Sequence, residues 1–187
     1  MSDLQCPATL LIARHGDAEY AVDGVLSDDG GALTDKGRDQ VRHLVEQVRS
    51  RRVAAVYSSQ MGRAVESAEL AAGQLGLRSL VVDGLQEFAV GEPGHVVVKR
   101  FKEALEDIAD THRGETVLVF THGGVMSLAI PRLAVNVRNN LAAQRFLPNC
   151  VAAEIEVDAD GWRVLSWPGT TDEQGLRTGV SPRRRCP

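Results

Sequence analysis

The chain is poor in the features that mark several large protein classes. It has three cysteines in 187 residues, Cys6, Cys150 and Cys186, too few and too scattered for a disulfide framework or for paired zinc knuckles. A reducing, cytoplasmic setting is therefore expected. It has no basic surplus: the formal net charge is -4, whereas a nucleic-acid binder carries a strongly basic domain or stripe. Nucleic acid is not an expected partner. The one dense basic run, Arg183, Arg184 and Arg185, reads as part of a solvated tail. Membrane-length apolar runs are missing as well. Residues 8 to 13 are apolar, but Arg14 and His15 cut them off far short of the roughly 20 residues a span requires. With no basic segment and no cleavage site before that run, neither a membrane partner nor secretion is expected. No internal repeat is visible.

What is present suits one soluble globular unit. Hydrophobic residues make up 43% and charged residues 25%, near the globular average, and the length fits a single core. The expected division is a domain over 1–169 and a flexible C-terminal tail over 170–187, where the pattern dissolves into Gly, Thr, Pro and Arg. Oligomeric state is left open by the residues.

Strand-like runs alternate with helical ones. ATLLIA at 8 to 13 reads as a buried strand ending at Arg14. Thr34 is the natural N-cap of a helix carrying Val41, Leu44, Val45 and Val48 on one face, although Gly37 denies it a full capping box. VAAVY at 53 to 57 reads as a second strand, followed by Ser58 and Ser59 as a cap and a helix through Met61, Ala64, Val65, Ala68 and Ala72. Leu80 to Val82 form a short strand candidate. A third helix through Val98, Phe101, Leu105 and Ile108 should end before Gly114. TVLVF at 116 to 120 is a further strand, and the helix after Gly124 should be kinked or stopped by Pro131. Residues 150 to 157 and 162 to 167 alternate around Asp158-Ala159-Asp160-Gly161, which predicts a hairpin. The expected fold is α/β, a three-layer α/β/α sandwich with a mostly parallel central sheet and an antiparallel hairpin near one edge.

Chemistry-bearing residues stand where these strands end. Arg14-His15-Gly16 follows the first strand, and ligands of open α/β sheets sit outside the carboxyl ends of strands. Taken alone, the tripeptide is equally a polar strand end. Thr121-His122-Gly123-Gly124 repeats the arrangement at the start of a helix, whose N–H groups and positive dipole end suit an anion. Arg63 lies in the first turn of its helix, an unfavourable place for a cation unless an anion is present. Glu87, in a non-periodic stretch, would alone be an ordinary loop carboxylate.

Together these segments resemble the histidine phosphatase superfamily, also called phosphoglycerate mutase-like. LLIARHG at 10 to 16, LTDKGRDQ at 33 to 40, YSSQMGRAVESA at 57 to 68, LQEF at 85 to 88 and VFTHGG at 119 to 124 stand in the family's order. The resemblance implies that His15 is the nucleophile of a phosphomonoester hydrolase. It also implies that Arg14, Arg63, His122 and Gly123 bind the phosphoryl group and that Glu87 is the general acid. No metal or other cofactor is implied, since two arginines match phosphate geometry and offset its charge. The guanidinium groups should lower the pKa of His15 and leave a neutral imidazole. Glu87 must carry a proton when the leaving group departs, which calls for burial or an approaching phosphate.

The chain departs from the pattern at Ala18 and Ala21, where many members have a Thr and a phosphate-contacting Asn. The 34 residues between Glu87 and His122 leave little room for the insertion typical of sugar-phosphate mutases, so hydrolysis is expected over mutase activity. The expected partner is a small phosphorylated metabolite, and residues 89 to 100 form a candidate substrate-facing loop. Two alternatives stand beside this reading. The RHGDA start and short length are similar to the small phosphohistidine phosphatases that act on signalling phosphoproteins, a subgroup that typically lacks a glutamate placed like Glu87. A catalytically silent phospho-ligand-binding module is the alternative of another class.

Overall fold

The structure is a computed structural model and describes residues 6–22, 25–26, 31–137 and 147–168. The tail expected over 170–187 lies outside the described residues. The elements run β1 (Ala8–Arg14), β2 (Ala21–Val22), β3 (Val25–Leu26), α1 (Asp35–Val48), β4 (Val53–Ser58), α2 (Gly62–Leu75) and β5 (Ser79–Val81). They continue with α3 (Gly94–Thr111), β6 (Thr116–Thr121), α4 (Gly123–Leu133), β7 (Ala152–Asp158) and β8 (Gly161–Ser166).

Six strands form one sheet in the order β5-β4-β6-β1-β7-β8. β5, β4, β6 and β1 are mutually parallel, and the β7–β8 hairpin joins β1 antiparallel. The continuous apolar runs follow from this arrangement, because a central strand with helices on both faces has no solvent side. Leu10 and Ile12 of β1 enter one core with Val117 and Val119 of β6, beneath α3 and α4. Leu11 and Ala13, with Leu118 and Phe120, enter the other beneath α1 and α2. These two cores define the three expected layers.

Local sequence explains most boundaries. Thr34 caps α1, its hydroxyl accepting from Gly37 N–H at 3.0 Å, a contact worth about 1 kcal/mol. The missing capping box has a steric cause. A Cβ on Gly37 would lie 2.0 Å from the Asp17 carbonyl oxygen, and one on Gly16 2.7 Å from that of Gly37. The turn after His15 thus rests directly on the first turn of α1, and a Glu there would push it away. Pro131 falls in the last turn of α4, which ends two residues later.

Two expectations change. The expected Ser58-Ser59 cap does not form: α2 starts at Gly62 with Met61 at the N-cap position and no side-chain cap bond, and the Ser59 hydroxyl accepts from Met61 N–H at 3.3 Å, one residue short of the helix. The proposed loop over 89 to 100 is helical from Gly94 onward. Cys150 is a free, buried thiol whose pKa burial pushes up to about 12. Cys6 is disulfide-bonded. No helix among the described residues is long and apolar enough to cross a membrane.

Candidate active site

Strand register assembles the site. In the parallel β1–β6 pair Arg14 lies opposite Thr121, so the next residues, His15 and His122, emerge side by side at the carboxyl edge of the sheet. Their ring centroids are 5.2 Å apart. Hydrogen bonds then hold the backbone around His15. Its N–H donates to the Thr121 carbonyl at 3.0 Å, and Asn149 Nδ2 donates to its carbonyl at 2.7 Å. Gly16 N–H donates to Ser67 Oγ at 3.0 Å, and Cys150 N–H to the Arg14 carbonyl at 2.9 Å.

The partners of His15 leave one tautomer. Nδ1 lies 2.6 Å from the Gly16 carbonyl oxygen, which can only accept, so Nδ1 carries the proton. Arg63 Nε, which can only donate, lies 3.0 Å from Nε2, so that nitrogen keeps its lone pair. The imidazole is 2% exposed, and its pKa falls to about 4. Burial is the main cause; Arg63 and Arg14 push the same way, while the Gly16 carbonyl and Asp17 oppose them. The expected direction is correct, but loss of solvent outweighs the guanidinium charges.

His122 is 1% exposed and is held lower still, at about 2, first by burial and then by the charges of His15, Arg63 and Arg14. Ser59 Oγ pairs with its Nε2 at 2.6 Å. Its Nδ1 is buried without a hydrogen-bond partner among the described residues. A buried nitrogen left unsatisfied is costly, and a phosphoryl oxygen could satisfy it.

Cationic groups surround the two rings. Arg63, 6% exposed, is the second residue of α2, and neither α2 nor α4 has an acidic residue in its first turn. A buried cation at the positive end of a helix dipole is favourable only beside an anion. Arg14 donates through Nη2 to the Tyr20 hydroxyl at 3.0 Å and through Nη1 to the Leu147 carbonyl at 3.4 Å. A Cβ on Gly123 would lie 3.3 Å from Arg14 Cδ, so the bare glycine lets Arg14 lie across the start of α4.

Glu87 reaches the same edge from another loop. Its Oε2 accepts from Gly124 N–H at 2.9 Å and its Oε1 from Phe88 N–H at 3.2 Å. A Cβ on Gly124 would fall 2.5 Å from Oε1, so the second glycine makes room for this carboxylate. The loop is anchored beneath. Thr121 Oγ1 donates to the Leu85 carbonyl, and Arg100 Nη1 donates to the carbonyls of Gly84 and Gln86, both at 2.8 Å. Arg100 also pairs with Glu92 at 2.8 Å. Expected to face substrate, Arg100 instead spans the loop that carries Glu87. Arg100→Met should lower kcat for an alkyl phosphate about tenfold with a much smaller change in KM, because displacing an acid by about an ångström is costly. Unchanged kcat would remove Arg100 from this role.

The structure brings Arg14, His15, Arg63, Glu87, His122 and Gly123 to this edge, and leaves Arg100 bracing the Glu87 loop. Sequence reasoning missed Tyr20, Ser59, Ser67 and Asn149. Tyr20 was within reach of it, an aromatic side chain five residues after His15; Asn149 becomes visible only when β7 pairs with β1.

Comparison with known proteins places the fold. A family model for the histidine phosphatase superfamily, branch 1, matches residues 10–94 and 88–170. Phosphoglycerate mutase-like protein 4 of Arabidopsis thaliana is 26% identical over 200 residues, covering 86% of this chain and 84% of its own. Among solved structures, YhfR of Bacillus stearothermophilus has a TM-score of 0.73 at 24% identity, covering 88% of this chain and 98% of that one. A mycobacterial glucosyl-3-phosphoglycerate phosphatase solved with VO3 has a TM-score of 0.68 at 19% identity, covering 85% and 98%. The structural likenesses speak for the fold; the family match runs through all the segments that build the site. On that match the chain belongs to the histidine phosphatase superfamily, branch 1.

Proposed function

We propose that this chain is a phosphomonoester hydrolase that works through a phosphohistidine on His15 and acts on a small phosphorylated metabolite without a metal ion. The observation that carries the reading is the buried neutral imidazole whose unprotonated Nε2 is held by a hydrogen bond from the Arg63 guanidinium. Arg14 and Arg63 hold phosphoryl oxygens, His122 and the α4 N-terminus at Gly123 hold another, and this charge stabilisation is the main source of acceleration in phosphoryl transfer. Arg63 Nε–H turns from Nε2 to a phosphoryl oxygen, and as the freed Nε2 lone pair bonds to phosphorus, the bond from phosphorus to the leaving oxygen breaks and Glu87 gives that oxygen its proton. Water then attacks phosphorus and loses a proton to Glu87. Phosphate leaves, and the imidazole returns to its starting state.

Hydrolysis is favoured over mutase chemistry because α3 and β6 take up most of the 34 residues between Glu87 and His122. The mutase names among the relatives belong to those proteins. Glu87, seated on the first turn of α4, favours an ester with a poor leaving group over phosphohistidine protein.

The test is hydrolysis of an aryl phosphate in EDTA across pH. Turnover should persist without metal. After correction for substrate ionisation, log kcat/KM should show no nucleophile break at 6.5. A lowered histidine pKa keeps the lone pair available on acidification below 6.5, and activity is lost only as pH falls through about 4. Dependence on added metal would overturn the proposal, and a break at 6.5 would remove His15 as a pre-neutralised nucleophile.

A further inference from the structure

We infer that Tyr20 is a phosphoryl-binding residue, its hydroxyl accepting from Arg14 and donating to the same phosphoryl group that Arg14 holds. The inference rests on the reading of the His15 cluster as a phosphoryl site and adds a ligand to it. Three contacts place Tyr20. Its hydroxyl oxygen lies 3.0 Å from Arg14 Nη2. Its ring stands edge-on to His15, with centroids 6.2 Å apart. The Arg63 guanidinium carbon sits 5.6 Å from the ring centroid, within cation–π range. One side chain therefore touches both arginines and the nucleophile.

The chemistry fits a ligand better than a packing residue. Arginine has no lone pair to offer, so in the contact with Arg14 the tyrosine oxygen is the acceptor. No described residue accepts its own O–H, and Tyr20 is 41% exposed at the rim of the site. An anion bound by Arg14 would lie beside that proton. The other early positions of this segment offer nothing equivalent: Ala18 is buried against Leu33 in the core under α1, and Ala21 has only a methyl group. The ring would also shield the arginines from water on one side, which strengthens their hold on charge.

The test is orthovanadate affinity in a double-mutant cycle between Tyr20→Phe and Arg14→Met, with aryl phosphate turnover and thermal stability measured alongside. Tyr20→Phe keeps the ring and should weaken vanadate binding about tenfold, as loss of a hydrogen bond to a charged group does, without lowering Tm. That loss should persist in the Arg14→Met background, since the hydroxyl contacts the ligand itself. Equal affinity of wild type and Tyr20→Phe would overturn the inference. So would a loss that vanishes without Arg14, which would make Tyr20 a brace for that side chain only. A wild-type protein that turns over substrate but shows no Tyr20 effect sinks this inference alone; one that neither binds vanadate nor turns over sinks the phosphoryl site with it.

Discussion

His15→Ala should lower kcat on an aryl phosphate by about 10⁴-fold or more, the scale seen when the nucleophile of a covalent mechanism is removed. No other described group can take its place. His122 is also neutral, but its Nε2 pairs with the Ser59 hydroxyl where that of His15 meets a guanidinium that can pass to the phosphoryl group. Loss of fold is a weaker explanation of such a result, because the surrounding backbone is held by Thr121, Ser67, Asn149 and Cys150 rather than by the imidazole. The matching measurement is intact-protein and peptide mass spectrometry after rapid quenching of wild type with substrate. A phosphoryl group on the peptide containing His15 is expected. Phosphorus on any other side chain, or substantial turnover by the alanine variant, would dismiss the mechanism.

Which parts of this were legible in the sequence follows from how local their causes are. β1, β6 and β4 were readable because burial on both faces demands an uninterrupted apolar run. Thr34 was readable because its cap bond closes within three residues. The meeting of His15 and His122 needed one non-local premise, that both strands are parallel neighbours, and the register of Arg14 with Thr121 supplies it. The misreadings arose where a distant partner outbid a local preference. Ser59 has the composition of a cap but turns to His122, across 63 residues of chain. Arg100 has the charge of a substrate contact but finds three carbonyls and Glu92. In each case the deciding contact joins segments that pattern alone cannot bring together.

Glu87→Gln should separate substrates by leaving group. For an alkyl phosphate the departing oxygen is strongly basic and cannot leave without a proton, so losing the acid should cost about 10²–10³-fold in kcat, within the range of general acid catalysis. A nitrophenolate departs unassisted, and its loss should stay below about tenfold. The amide keeps the size of the carboxylate and can still accept from Gly124 N–H through its oxygen, while its NH2 gives up the longer contact with Phe88 N–H. A purely structural or purely electrostatic role for Glu87 would therefore alter both substrates alike. Equal slowing of the alkyl and nitrophenyl esters would refute the acid assignment. It would also return the phosphohistidine-protein reading to favour, because a phosphorylated imidazole can depart without the proton that Glu87 is placed to give.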